Sequence, residues 1–195
     1  MGEPATETLL ARARAGEQDA SVALYERLAP ALLAWAELRV RPSFRPWIEP
    51  ADLIQEVWYR AWKSLDRYDP GRPFRPWLFA IAKNVLLEGA RRLRGAEPRS
   101  PGGGSSRLFP LQNLPDSATA VSRRVARDEA LARFVEQVRA LPRVDRRLVL
   151  HIGLEGLTVQ RAAERLELAP EAAKKRWQRL RARLAGRGDV ERLLA

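Results

Sequence analysis

Residues 52–65 read DLIQEVWYRAWKSL. Leu53, Ile54, Val57, Trp58, Ala61, Trp62 and Leu65 recur at spacings of one, three and four, which puts them on one face of an α-helix. The opposite face carries Asp52, Gln55, Glu56, Arg60 and Lys63, acidic towards the N-terminus and basic towards the C-terminus, as the helix macrodipole favours. Pro50 suits a first turn, where a backbone N–H has no helical acceptor to lose. The stretch therefore predicts an amphipathic helix, buried along the first set of residues and solvated along the second.

The same period extends outward. Upstream, Leu24, Leu28, Leu32 and Trp35 trace the apolar face of a helix that ends near Arg41-Pro42. Downstream, LDRYDPGRP (65–73) breaks the pattern, and a further helix from about Pro76 can bury Leu78, Ile81, Ala82 and Val85 with Lys83, Glu88, Arg91, Arg92 and Arg94 outside. Residues 95–120, GAEPRSPGGGSSRLFPLQNLPDSATA, hold no sustained periodicity and read as a flexible tether. Gly102-Gly103-Gly104 within it has no preceding strand and no Lys-Ser/Thr after it, which argues against a phosphate-cradling loop. Val121, Val125, Leu131, Phe134, Val138 and Leu141 predict one helix stopped by Pro142, and Val144–Leu154 predicts the next.

The C-terminal stretch LTVQRAAERLELAPEAAKKRWQRLRARL (157–184) gives a short helix from Thr158, a break at Glu167-Leu168-Ala169 and a longer helix from Pro170. Short helix, tight turn and basic helix are the helix-turn-helix layout. Ala173, Trp177, Leu180 and Leu184 point inward at helical spacing, whereas six basic residues against one acid lie between Glu171 and Leu184. Such a helix suits a DNA major groove and its phosphates. The expected fold is all-α: two small helical domains, 1–95 and 121–195, joined by a flexible linker, 96–120, the second domain containing the helix-turn-helix.

Composition points the same way. In 195 residues there are 35 Lys+Arg, mostly Arg, against 24 Asp+Glu, a net charge of +11. That balance favours polyanionic partners, nucleic acid before an anionic membrane. The chain has no Cys and one His, His151, which excludes disulfides, zinc clusters and thiol chemistry. His151 reads as structural and without a partner. No nucleophile–base pair, cofactor fingerprint or Walker sequence is present, so neither catalysis nor a cofactor or metal is expected. Asp66 and Asp69 are too few carboxylates for a metal site. The N-terminus has no apolar secretory core, and a match of Met1-Gly2 with Thr6 to the myristoylation pattern is too short to carry weight. A soluble cytoplasmic protein with no membrane insertion is expected.

DPGRPFRPWLFAIAKN, Asp69–Asn84, sets Phe74, Trp77 and Phe79 among arginines and prolines. Trp58, Trp62 and Trp177 lie on apolar stripes and are expected in the core. Phe79 is expected there too, with Trp77 buttressing the loop.

On these residues the chain resembles the bacterial RNA polymerase sigma factors of the extracytoplasmic-function type. The likeness is carried by Asp52-Leu53-Ile54-Gln55-Glu56-Val57-Trp58, Arg60-Ala61-Trp62, Leu65, Tyr68-Asp69, Phe74, Trp77-Leu78, Ile81-Ala82 and Asn84. In the second domain it is carried by Leu141-Pro142, Asp145-Arg146, Glu155-Gly156-Leu157-Thr158, Ala163, Leu166, Lys174, Arg176, Arg179 and Leu184. The resemblance implies that Asp52, Gln55, Glu56 and Arg60 meet core RNA polymerase. It implies that Arg67, Tyr68, Phe74, Trp77, Lys83 and Asn84 open the −10 element and hold an extruded base. It assigns the −35 element to Glu171, Lys174, Lys175, Arg176, Gln178 and Arg179. Partners so implied are core RNA polymerase, promoter DNA and an anti-sigma factor.

Departures from the family pattern are local. Glu167 stands where Gly is usual and is expected to avoid a positive φ. Arg161 in place of Glu removes the reciprocal half of a capping box with Thr158. Ala172 and Ala173 replace small polar or β-branched residues at the start of the recognition helix, and Glu88 stands where Asp is usual. Two rivals remain: a helix-turn-helix regulator that does not join polymerase, and a sigma-like interaction module without DNA activity. Asp52–Leu65 argues against the first and the basic helix against the second.

Overall fold

The computed structural model describes residues 5–95 and 116–184, and no strand occurs among them, in line with the all-α expectation. The chain divides into two compact units, Met1–Arg127 and Asp128–Ala195. Residues 96–115 of the expected linker lie outside the described residues.

The first unit contains α1 (Thr6–Arg14), α2 (Gln18–Arg39), α3 (Pro50–Lys63), α4 (Phe74–Gly95) and α5 (Asp116–Ala126). Gly16 takes φ +91 between α1 and α2, a conformation in which a Cβ would be strained. α2 is the central helix: Leu24, Tyr25, Leu28, Leu32 and Trp35 are buried, and so are Ala29, Ala34 and Ala36. It packs on α1, α3 and α5. Leu53, Ile54, Val57 and Ala61 of α3 have no exposed surface, as their spacing predicts. Trp35 meets Phe79 of α4 edge-on, ring centroids 5.9 Å apart, so Phe79 is core.

α5 corrects the expected architecture. The sequence reads as one helix from Val121 to Leu141, the start of the second domain. The structure breaks it at Arg127-Asp128, because Asp128 caps a new helix: its Oδ1 accepts from the backbone N–H of Ala130 at 2.8 Å and of Leu131 at 3.2 Å. A cap of this kind contributes about 1 kcal/mol. The segment before it, α5, packs on α2 and α3 and belongs to the first unit. The boundary therefore falls at 127/128 and not at 120/121, and Asp116–Ala120 is helix and not tether.

The second unit contains α6 (Glu129–Arg139), α7 (Arg143–Leu148) continuing as a π-helical turn Val149–Leu154, α8 (Val159–Leu166) and α9 (Pro170–Leu184). Leu131, Phe134, Val138, Leu148, Val149 and Leu154 form its core with the inner face of α9. His151 has a partner, contrary to expectation: its Nδ1 lies 2.9 Å from Glu155 Oε2, both side chains buried. Their i,i+4 spacing brings them together on the helix. No described helix is long and apolar enough to cross a membrane.

Candidate functional site

α3 presents its polar residues differently from the expected solvated face. Gln55 is 4% exposed and Glu56 is 8% exposed. Glu56 is turned to the α4 side: Arg60 Nε donates to Glu56 Oε1 at 2.6 Å, and Arg60 Nη1 donates to Glu88 Oε2 of α4 at 2.7 Å. Gln55 lies on the other flank, one turn before Trp58. Trp58 packs on Tyr25 of α2, ring centroids 4.7 Å apart, and stacks on half-buried Trp62 at 5.5 Å. Between the two flanks, Asp52, Tyr59 and Lys63 keep access to solvent, with Lys63 Nζ 4.6 Å over the Tyr59 ring. Glu56 and Arg60 thus hold α3 on α4, and reversing the charge of Glu56 would perturb folding as well as any surface.

The loop between α3 and α4 is pinned from inside. Tyr68 donates its hydroxyl hydrogen to the Arg72 carbonyl, and the Gly71 N–H donates to Asp69 Oδ1 at 2.9 Å. A Cβ on Gly71 would approach that carboxylate oxygen to 3.2 Å. Asp69 is therefore a turn-forming residue. Tyr68, Phe74 and Trp77 form a three-ring cluster with centroids 5.2–5.3 Å apart.

This cluster corrects two site assignments. Tyr68 and Phe74 are 4% and 2% exposed, which closes their rings to a base. Bringing a buried Phe out costs about 1.5–3 kcal/mol, and a stacked base returns only about 1–3 kcal/mol. They are packing residues that shape the loop. Trp77 is half-buried, Lys83 partly exposed, and Arg67 and Asn84 exposed. Trp77 and Asn84 are seven residues apart on α4, hence on one face about 10 Å apart along the axis. Arg75, half-buried beside them, is lowered to about 10 by burial and stays cationic at neutral pH.

In the second unit, α9 turns Ala173, Trp177, Leu180 and Leu184 inward, and Glu171, Lys174, Lys175, Arg176, Gln178 and Arg179 are all exposed. The −35 set is thus brought together on one exposed surface. Arg176 leans back towards α7, its Nε 3.8 Å from Asp145 Oδ1. The turn ahead of α9 corrects another expectation: Glu167 does take the left-handed conformation, φ 55 and ψ 41. Its N–H and that of Leu168 close the end of α8 on Glu164 and Ala163 carbonyls, so the helix ending imposes the conformation that Gly would adopt freely. Thr158 Oγ1 accepts from the Arg161 N–H at 3.3 Å, the single half of the capping box that the sequence allows.

The sigma-70 region 2 family model matches residues 24–96, the span that includes α3, the aromatic loop and α4. RNA polymerase sigma factor CnrH of Cupriavidus metallidurans is 31% identical over 202 residues, covering 97% of this chain and 97% of that one. The chain belongs to the RNA polymerase sigma factors of the extracytoplasmic-function type. ECF RNA polymerase sigma factor SigL of Mycobacterium tuberculosis is 31% identical over 132 residues, 66% of this chain and 70% of SigL. The solved structure of CnrH in complex with the cytosolic domain of CnrY aligns over 93% of this chain and 96% of that one, at 26% identity and a TM-score of 0.45.

A sigma factor serves transcription initiation. Three features of the described structure are not among the residues picked out from the sequence. Tyr59 and Lys63 share the accessible face of α3 with Asp52, and the i,i+4 spacing of an aromatic and a lysine was the available signal. The Arg60–Glu88 tie crosses 28 residues and left no local trace. The docking of α5 on α2 left none either.

Proposed function

We propose that this sigma factor joins core RNA polymerase through the surface of α3, reads the −35 element with α9, and opens the −10 element with the face of α4 that carries Trp77 and Asn84. The observation that carries the DNA-binding part is α9, where every basic residue assigned to DNA is exposed and every apolar residue of the opposite stripe is buried. Phosphate contacts by Lys174, Lys175 and Arg179 would position the helix, and the exposed side chains at its start would meet base edges.

On α3, Asp52, Tyr59 and Lys63 supply the accessible part of the polymerase contact and Gln55 the part now covered. Arg60 and Glu56 support it from behind. On α4, Asn84 offers one donor pair and one acceptor to a base edge, and Arg67 and Lys83 supply charge for the backbone. The protein catalyses no reaction itself and acts in the cytoplasm beside polymerase. An anti-sigma factor as partner is supported by the family alone.

Run-off transcription with core polymerase on a random promoter library tests the reading. Recovery of one enriched pair of elements, lost when Lys174, Lys175 and Arg179 are replaced by Ala, is the expected result. Enriched DNA binding without core-dependent transcripts would sink it.

A further inference from the structure

We propose that α5 is a built-in occluding helix: while it is docked, the Gln55 flank of α3 is closed, and core polymerase must displace it to bind. The proposal rests on the reading of α3 as the polymerase-facing helix. It is drawn from four observations within the first unit.

First, the docking is specific. The Tyr25 hydroxyl and Ser122 Oγ are 2.5 Å apart in a buried hydrogen bond, and Ser122 has no exposed surface. Tyr25 also packs on Trp58, and α5 packs on α3, so α5 lies on the Trp58 side of α3; Gln55, three residues before Trp58, shares that side by helical spacing. Arg124 adds an exposed ion pair with Glu26 at 2.6 Å.

Second, the covered flank is polar and unsatisfied. Gln55 is buried, yet its Oε1 has no hydrogen-bond partner. A buried amide oxygen without a donor costs stability, and an apolar residue would suit a permanently covered position better. Gln55 fits a surface that is also used open.

Third, α5 lies at the end of the first unit's chain, and the core residues Leu24, Leu28, Leu32, Trp35, Leu53, Ile54, Val57, Leu78 and Phe79 all come from α2, α3 and α4. Among the described side chains of α5, Val121, Ser122 and Val125 are buried.

Fourth, the chain permits release. Residues 96–115 connect α4 to α5 and can span at most about 70 Å when extended. Undocking therefore needs no break elsewhere in the first unit.

The test uses the full-length chain and core RNA polymerase. The chain has no cysteine, so Glu26→Cys with Arg124→Cys can be bridged by a short bismaleimide to lock α5 down. The control is the same double variant with each thiol capped separately by N-ethylmaleimide. Locking should weaken core binding at least tenfold relative to the capped control. Val121→Asp with Val125→Asp should release α5, seen as lost amide-exchange protection at 121–126 with protection kept in α2 and α3, and should tighten core binding several-fold. Equal affinities for locked and capped protein would overturn the proposal. Gln55→Ala in the released background separates the two ideas. If it weakens core binding and locking has no effect, the occluding role alone falls. If it leaves core binding unchanged, the covered flank takes no part in the contact and the occluding role falls; if Asp52→Ala with Lys63→Ala also leaves it unchanged, the α3 reading fails as well.

Discussion

Arg60 of α3 holds Glu88 of α4 at 2.7 Å while its Nε holds Glu56 at 2.6 Å, so one guanidinium ties two helices of the first unit. Burial acts to lower the Arg60 pKa, but the two carboxylates outweigh it and the net shift is upward. A raised folded-state value contributes stability that is lost only as pH rises past the ordinary arginine range, so the cation itself persists at any working pH. The Glu56 side chain is 10% exposed and that of Glu88 is 41% exposed. Removing the shared cation therefore leaves a nearly buried charge at one end and a solvated one at the other. Arg60→Ala should cost about 1–2 kcal/mol, between the surface and buried limits, and Glu88→Ala less than about 1 kcal/mol. Urea melts of the two variants check the order; equal losses would mean that Glu56 is not the buried end.

Lys175 projects from α9 into solvent, so its replacement removes charge and no packing. Lys175→Ala should weaken binding to any duplex and reduce the slope of log affinity against log salt by about one. Arg176→Ala should do less, because its guanidinium is partly held towards Asp145. Titrations at several salt concentrations would contradict this if Arg176→Ala changed the slope more than Lys175→Ala.

Glu167 is the one non-glycine residue with positive φ among the described residues, and it follows the last residue of α8. A left-handed conformation costs an L-residue about 1–2 kcal/mol, and a carboxylate at a helix C-terminus opposes the macrodipole. Gly removes both terms but loses more freedom on folding. Glu167→Gly should stabilise the second unit by about 0.5–1 kcal/mol with DNA affinity unchanged. A lower melting temperature for the variant would refute the assignment of strain to this turn.

Tyr25 links α2 to α5, and burial pushes its phenol up to about 12, with the Ser122 hydrogen bond acting the other way. The folded value is above the ordinary one near 10, so its contribution is complete below pH 10 and is lost between about pH 10 and 12, by about 1.4 kcal/mol per unit. Alkaline titration should release α5 in that window, and Tyr25→Phe should remove this part of the pH dependence. The difference between wild-type and variant stability across pH 9–12 is the measurement, and parallel curves would count against it.

The helices were legible where a single stripe decides the answer: α3 and α9 bury the residues that their periodicity picks out. Val121 to Leu141 was misread because its apolar period runs on across Asp128, and a capping carboxylate outranks periodicity in placing a boundary. The buried state of Gln55 has no local signal, because burial depends on which helices pack around α3, and α5, which does, lies more than sixty residues away in sequence. The family resemblance puts Tyr68 and Phe74 on the DNA side, and the sequence alone does not oppose it, since an aromatic beside arginine suits both a base and a core. Their mutual packing decided it. His151 and Glu155 stood at i,i+4 in plain view, yet a contact between buried side chains becomes evident only once the turn is formed.

With Tyr68 and Phe74 inside, Asn84 is an exposed residue of α4, on the same face as Trp77, that can offer a base edge both a donor and an acceptor. Asn84→Ala removes a donor and acceptor but buries nothing and opens no cavity, so it should change stability by less than about 0.5 kcal/mol. Binding to closed duplex should persist, since the proposed reading assigns that affinity to phosphate contacts and to α9. Opening a base step costs a few kcal/mol, and the captured base must return part of it. Loss of one edge contact should therefore lower the population of open complexes by several-fold, read as reduced permanganate reactivity of unpaired thymines. A template with a pre-melted bubble supplies the opening energy in advance and should restore most of the transcript. Trp77→Ala is the poorer probe, because truncating a clustered tryptophan costs about 3–5 kcal/mol and perturbs the loop itself. Wild-type permanganate reactivity and transcript yield with Asn84→Ala would move base capture off α4 and leave the three-ring cluster a purely structural element.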